Sequence, residues 1–252
     1  MSKEKESPVC IVTGGTSGIG LATAKLFAAT GYRIASCGRN KDRLAHAESE
    51  IGTTGVECWF AEADLTDSDQ AVNFAKQAIE KFGRVDVLVN NAGMAPLAPF
   101  DELTEQTFES AINLNVRSVF YVTQVVWRQM KQQQLAEQGR GVVINISSLA
   151  AIDPFPGFSI YGSTKAWLDL MSHALAAEGK EEGISVYSIR PGAVETPLLR
   201  SLFPDFPAGE CVQPGDVAQK ALDMVQMPAK FETGNAYNVT NQAGHSNDPQ
   251  DA

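Results

Sequence analysis

Two residues define the chemistry to look for. Tyr161 and Lys165 stand four apart in the run Tyr161-Gly162-Ser163-Thr164-Lys165, which opens an apolar-periodic segment ending near Gly179. That spacing puts both on one face of a helix. A phenol ordinarily titrates near pH ~10. A close ammonium favours the phenolate and lowers that value by about 1–3 units. A tyrosine tuned in this way can give a proton to a carbonyl oxygen or take one from an alcohol. The spacing alone is common, so its weight depends on its surroundings.

The second constellation is a glycine turn, Thr13-Gly14-Gly15-Thr16-Ser17-Gly18-Ile19-Gly20, between the first strand-like run and the first helical one. Glycines at 14, 18 and 20 give GxxxGxG. Without Cβ atoms they permit positive φ and let a pyrophosphate approach the backbone. The helix that follows offers unpaired N–H groups and the positive end of its dipole. Gly14, Thr16, Ser17, Gly18 and Ile19 are therefore candidate dinucleotide contacts. After the second strand-like run comes Cys37-Gly38-Arg39-Asn40-Lys41. A carboxylate there would hold a ribose 2′-OH, whereas an arginine accommodates a 2′-phosphate. Arg39, with Asn40 beside it, favours NADP(H) over NAD(H) through charge-assisted, paired hydrogen bonds. The negative net charge opposes an anionic cofactor, but salt screens it over about 8–10 Å, so local cations win.

The positioning elements alternate. Strand-like runs lie at 9–13, 33–37, 56–60, 85–90, 142–146, 184–189 and 236–239, with helical periodicity between them. In the first helix Ile19, Ala22, Leu26 and Ala29 share a stripe. Thr66 followed by Asp69 resembles a capping box opening a helix over 67–82. The pattern predicts an α/β class: a single Rossmann-type, doubly wound parallel sheet of about seven strands flanked by helices. One domain spans 1–252, with a core at about 7–240 and a polar tail from 241 expected to be mobile. Three stretches are poor in periodicity, 94–103, 149–159 and 197–214, and each follows a strand-like run. Ligands bind outside the carboxyl ends of strands in such sheets, so these stretches are the expected substrate walls.

With these pieces in order, the chain is similar to the short-chain dehydrogenase/reductase family over about residues 7–240. The resemblance rests on TGGTSGIG at 13–20, Asp64 in ADLTD, NNAG at 90–93, NVRSVF from Asn115, NISS at 145–148, YGSTK at 161–165 and RPG at 190–192. It implies that Ser148, thirteen residues before Tyr161, is catalytic together with Tyr161, Lys165 and Asn115. Asn115 matches an asparagine that kinks the long helix and holds a proton-relay water; Asn113 is the poorer match. Asp64, followed by Leu65, matches the residue at the adenine amino group. Asn90, placed just after the fourth strand, matches one that positions the adenosine ribose and the sheet. Ala92 and Gly93 flank the cofactor. Pro191, Gly192, Val194 and Thr196 match the segment holding the nicotinamide carboxamide; Thr196 could instead be a loop cap. Lys165 also grips the nicotinamide ribose, so Tyr161 and Lys165 count among the cofactor contacts.

Two places depart from the family pattern. Tyr237-Asn238-Val239-Thr240-Asn241 replaces a VDGG-like turn, and Ser17 stands where many NADP-type members have a basic residue. The competing readings are an NAD(H)-dependent alcohol dehydrogenase of the same family and a non-catalytic NADP(H)-binding regulator.

Composition sets outer limits. The 252 residues are 44% hydrophobic, enough for a large core, and carry a net charge of −10. Nucleic-acid binding needs a basic footprint, and none is present. No apolar run approaches the ~20 residues of a membrane span. Residues 1–8 are charged without an apolar signal core, so a cytoplasmic protein is expected. Cys10, Cys37 and Cys58 fall in strand-like runs as small hydrophobes, and Cys211 forms no CxxC pair. His46, His173 and His245 lack metal-ligand spacing, and no metal is expected. Met94, Leu97, Phe100, Ile152, Phe155, Phe158, Leu198, Phe203 and Phe206 line the three loops, which suits an apolar carbonyl or alcohol substrate. The helices near 104–134 and 161–179 keep apolar residues on several faces, and in the family these helices build a dimer interface. A homodimer or homotetramer is expected.

Overall fold

The structure is a computed structural model that describes residues 7–133 and 139–241. The tail beyond 241 and the end of the 104–134 helix reading lie outside the described residues. Seven parallel strands run in the order β3-β2-β1-β4-β5-β6-β7. They are β1 Val9–Thr13, β2 Arg33–Gly38, β3 Cys58–Glu62, β4 Val87–Asn90, β5 Gly141–Ile146, β6 Ile184–Pro191 and β7 Ala236–Val239. The helices are α1 Gly18–Ala29, α2 Lys41–Gly52, α3 Ser68–Phe82, α4 Glu105–Ile112, α5 Ser118–Gln132, α6 Ser159–Gly179, α7 Pro197–Leu202 and α8 Pro214–Gln226.

Strand order reverses between β1 and β4, which makes their carboxyl ends the switch point of a doubly wound sheet. Phe27, Ile51 and Val217 pack α1, α2 and α8 on one face of the sheet. Phe74, Val122, Val126 and Ala176 pack α3, α5 and α6 on the other. Both faces being covered explains why β1 and β4 are buried at every residue and apolar nearly throughout.

Some boundaries differ from the sequence reading. β3 and β4 each start two residues later than expected. Gly55, at φ 81°, turns the chain just before β3, and the Val85 N–H goes to the Gln133 side chain rather than to a ladder. The N-cap of α3 is Asp67, not Thr66: Asp67 Oδ1 accepts from the N–H groups of Asp69 and Gln70. Thr66 instead donates to Asp64 Oδ1 from both its N–H and its hydroxyl. The 197–214 stretch hides α7, too short to show periodicity.

A buried polar chain ties α5 and α6 to the sheet. Asn90 Nδ2 donates to Thr123 Oγ1 on α5 and to Asn145 Oδ1 on β5. Asn145 Nδ2 donates to Ser172 Oγ on α6, which is bonded in turn to Ser188 Oγ on β6. All five residues are buried. Asn90 is therefore the last residue of β4 rather than one beyond it, and its amide nitrogen is spent inside the sheet–helix layer.

Candidate active site

The carboxyl ends of the strands open into a cleft of about 2850 Å³. That exceeds the roughly 300–1,000 Å³ of ordinary small-molecule sites and leaves room for a dinucleotide and a substrate.

At one end of the cleft the glycine turn needs its missing side chains. Gly14 and Gly18 have φ of 69° and 53°. A Cβ on Gly20 would lie 2.4 Å from both Asn91 Nδ2 and Gly14 O. Asn91, which the sequence reading passed over, clamps the turn: its Nδ2 donates to the carbonyls of Thr13 and Gly14. Thr13 Oγ1 accepts from the N–H groups of Asn91 and Ala92, closing the link from β1 to β4. The start of α1 is left open. Ser17 makes no side-chain cap bond, and no acid occupies the first turn. Such an end attracts an anion. Arg39 and Arg43 line the same end, both exposed, and neither forms an ion pair among the described residues. Lys41 is turned to Glu62 at 3.2 Å and does not line the cleft. Arg43 was missed; its signal was Asn40, whose side chain caps α2 by accepting from the Arg43 N–H and so sets Arg43 in the first turn.

Gly14, Thr16, Ser17, Gly18, Ile19, Arg39, Asn40, Asp64, Leu65, Ala92, Gly93, Pro191, Gly192, Val194 and Thr196 all line the cleft. Asn90 does not, because of the polar chain described above. Thr196 lines it while also capping α7: its Oγ1 accepts from the Leu199 N–H. It abuts the glycine turn, since a Cβ on Gly18 would come within 3.0 Å of Thr196 Cγ2.

At the other end, three elements converge. Ser148 follows β5 and caps a short 3-10 turn at Leu149–Ala151, accepting from the Ala150 N–H. Tyr161 and Lys165 lie on α6. Gly162 permits their approach, because a Cβ there would be 2.6 Å from the Ala150 carbonyl. Ser148 consequently hydrogen-bonds the Tyr161 phenol. Lys165 is 5% exposed; its Nζ donates to the Ile146 carbonyl at 2.7 Å and lies 5.8 Å from the Tyr161 ring centroid. Gly93 completes the packing, with room for a Cβ only 3.3 Å from Asn115 Oδ1 and 3.5 Å from Lys165 Nζ.

Asn115 sits in a π turn, Asn113–Arg117, between α4 and α5. Its amide lies behind the cleft wall. It donates to the Met94 carbonyl and Thr164 Oγ1 and accepts from the Met94 N–H. Asn113 faces elsewhere, accepting from Arg117.

The electrostatics correct one expectation. Tyr161 is raised, not lowered: burial is the main cause, and the Ser148 hydrogen bond only partly offsets it. Lys165 itself is pushed down to about 8 by burial, with Asp169 opposing. At neutral pH the pair thus stands as a protonated phenol beside a lysine still largely charged.

The loops expected to wall the substrate border the same cleft. Met94, Ile152, Phe155, Phe158, Leu198, Phe203 and Phe206 line the cleft; Leu97 and Phe100 do not. Phe100 is 80% exposed, carried outward by its 3-10 turn, while Leu97 packs over Gly157. Arg200 knits the third wall. Its guanidinium grips both Glu195 oxygens and donates to the carbonyls of Pro204 and Phe206. Arg200→Met removes those bonds and frees the wall that they hold. We expect KM for the substrate to rise about three- to tenfold while KM for the cofactor holds, as steady-state kinetics would show.

The model of the short chain dehydrogenase family matches residues 8–206. The chain belongs to the short-chain dehydrogenase/reductase family. It is an oxidoreductase of that family, whose members bind a nicotinamide cofactor. A 3-oxoacyl-[acyl-carrier-protein] reductase of Thermotoga maritima is 32% identical over 243 residues, covering 93% of this chain and 96% of that protein. A short-chain dehydrogenase of Burkholderia cenocepacia J2315, solved with NADP, is 27% identical with TM-score 0.84, covering 94% of this chain and 98% of that one. A 7α-hydroxysteroid dehydrogenase, solved with NADH and 7-oxo glycochenodeoxycholic acid, is 30% identical with TM-score 0.84 and covers 93% of each chain. Among the described residues of this dehydrogenase, no helix is long and apolar enough to cross a membrane.

Proposed function

We propose that this protein interconverts an apolar carbonyl compound and its alcohol using NADP(H), with Tyr161 as the proton donor and acceptor. The observation that carries the reading is the convergence of Ser148, Tyr161 and Lys165 at the end of the cleft opposite Arg39.

The cleft fits the cofactor: the glycine turn and open α1 terminus would take its pyrophosphate, and Arg39 with Arg43 its 2′-phosphate. Asp64 and Leu65 would border the adenine, Ala92 and Gly93 the middle, and Pro191 to Thr196 the nicotinamide. When bound, NADPH supplies the hydride that reduces the carbonyl carbon, and NADP⁺ accepts it in reverse. Ser148 and Tyr161 hydrogen-bond the carbonyl oxygen as negative charge grows on it. The Tyr161 O–H then breaks and its proton passes to that oxygen, giving the alcohol. The raised phenol holds its proton at neutral pH, which favours the reducing direction. Lys165 stabilises the phenolate left behind. The Asn115 side chain is committed to Met94 and Thr164, so a relay water would rest on its backbone within the π turn.

A panel of carbonyl compounds followed by loss of NADPH absorbance tests this reading; no turnover on any of them would sink it. Free-enzyme ionisations appear in kcat/KM. For reduction, kcat/KM should be flat near neutrality and fall as pH rises through about 8, where Lys165 loses its charge. Oxidation should instead gain with rising pH, because the raised phenol must first lose its proton. A reduction profile flat to the ordinary lysine range would contradict the role of Lys165.

The protein would further assemble as a homo-oligomer. Phe108, Phe120, Tyr121 and Leu170 leave large apolar groups exposed on α4, α5 and α6, which favours burial against a second copy. Light scattering on the eluting protein should give at least twice the chain mass.

A further inference from the structure

We propose that the substrate site selects a carbonyl compound bearing an aromatic ring and free in solution, rather than an acyl chain carried on an acidic protein. This rests on the carbonyl-reductase reading above.

The first support is an unbroken aromatic run from the proton donor to solvent. The Phe158 ring meets Tyr161 edge-on, with centroids 5.1 Å apart. Phe155 tilts against Phe158 at 4.5 Å. Phe203, from the opposite wall, meets Phe155 at 6.1 Å and Phe158 at 6.3 Å, both edge-on. Phe158 is 6% exposed whereas Phe155 is 51% exposed, so the run begins in the site and ends at its mouth. Rings gain beyond their buried area when they meet edge-on or offset at these separations. A substrate ring beside Tyr161 finds edges and faces already placed from two walls. An alkyl chain of the same size gains burial alone and loses more rotational freedom.

The second support is charge. The two walls that carry these rings expose Asp153, Asp205 and Glu210. Their one cation, Arg200, is spent on Glu195. With a net charge of −10 behind it, this rim repels an acidic carrier.

Benzylacetone and 2-decanone provide the test, being methyl ketones of equal carbon count and the same reacting group. With NADPH, kcat/KM should favour benzylacetone roughly tenfold, and calorimetry on the NADP⁺-loaded protein should show the same order in Kd. The double variant Phe155→Leu/Phe203→Leu should bring both ratios towards one. Equal use of the two ketones by the parent protein would overturn the inference and leave the reductase reading standing. So would faster turnover of an acetoacetyl group on an acyl carrier protein. No turnover of any of the three, with NADP⁺ binding intact by calorimetry, would instead overturn the reductase reading and the inference with it.

Discussion

Tyr161→Phe is expected to lower kcat/KM by roughly 10²–10⁴, the usual contribution of a positioned acid or base, while the protein still folds and binds cofactor. The variant keeps the ring that packs edge-on against Phe158 and removes only the hydroxyl bonded to Ser148. Loss of a group acting only as charge develops should appear in kcat and kcat/KM together. Turnover within tenfold of the parent, on a substrate the parent uses well, would show that another group supplies the proton. Lys165→Met should be nearly as damaging, because no ammonium would remain beside the phenolate. The two single losses should not multiply in the double variant, since they act as one unit.

Removing Arg39 should change which cofactor is used more than how fast either is turned over. Charge-assisted hydrogen bonds contribute about 1.5–3 kcal/mol when well formed, and each 1.4 kcal/mol is about tenfold. Arg39 is exposed, so screening places it at the lower end. Arg39→Ala should raise KM for NADPH about tenfold and leave KM for NADH nearly unchanged. Adding Arg43→Ala should take most of what preference remains. Kinetics with both cofactors decide the matter: a parent enzyme preferring NADH, unaffected by either change, would remove the 2′-phosphate assignment.

Most of the fold was legible because buried parallel strands leave a loud signal. β1 and β4 are apolar runs bounded by polar turns, and their order follows from the alternation with helices. The ends of elements were less legible, since they depend on single hydrogen bonds. Whether Thr66 or Asp67 caps α3 turns on which side chain reaches the free N–H groups, and both residue types are good caps. The candidate trio was legible only jointly: Ser148 and Tyr161 meet because Gly162 lets α6 lie on the Ala150 carbonyl, a contact between segments that no local pattern encodes. Asn90 and Asn91 show the limit of reading a motif by composition. Adjacent strand-end residues point to opposite sides, so one amide locks the sheet to its helices and the other clamps the glycine turn. The raised phenol was not legible either, because burial is a property of the whole assembly, and here it outweighs the hydrogen bond from Ser148.

The depressed Lys165 has a consequence for anyone who tries to harden this protein. The folded state holds a charge it would rather release. An unfolded chain takes up that proton more readily between pH ~8 and the ordinary lysine range, so stability climbs with pH across that window. Below it a cost on the order of 3 kcal/mol is present. A neutral side chain of similar length at this position escapes that cost and gives up the bond to Ile146 and the attraction of Asp169. Selection for heat resistance alone would therefore tolerate, or enrich, molecules that have lost the lysine, and survivors would be robust and inert. Any directed-evolution scheme on this scaffold must screen turnover and durability in the same round.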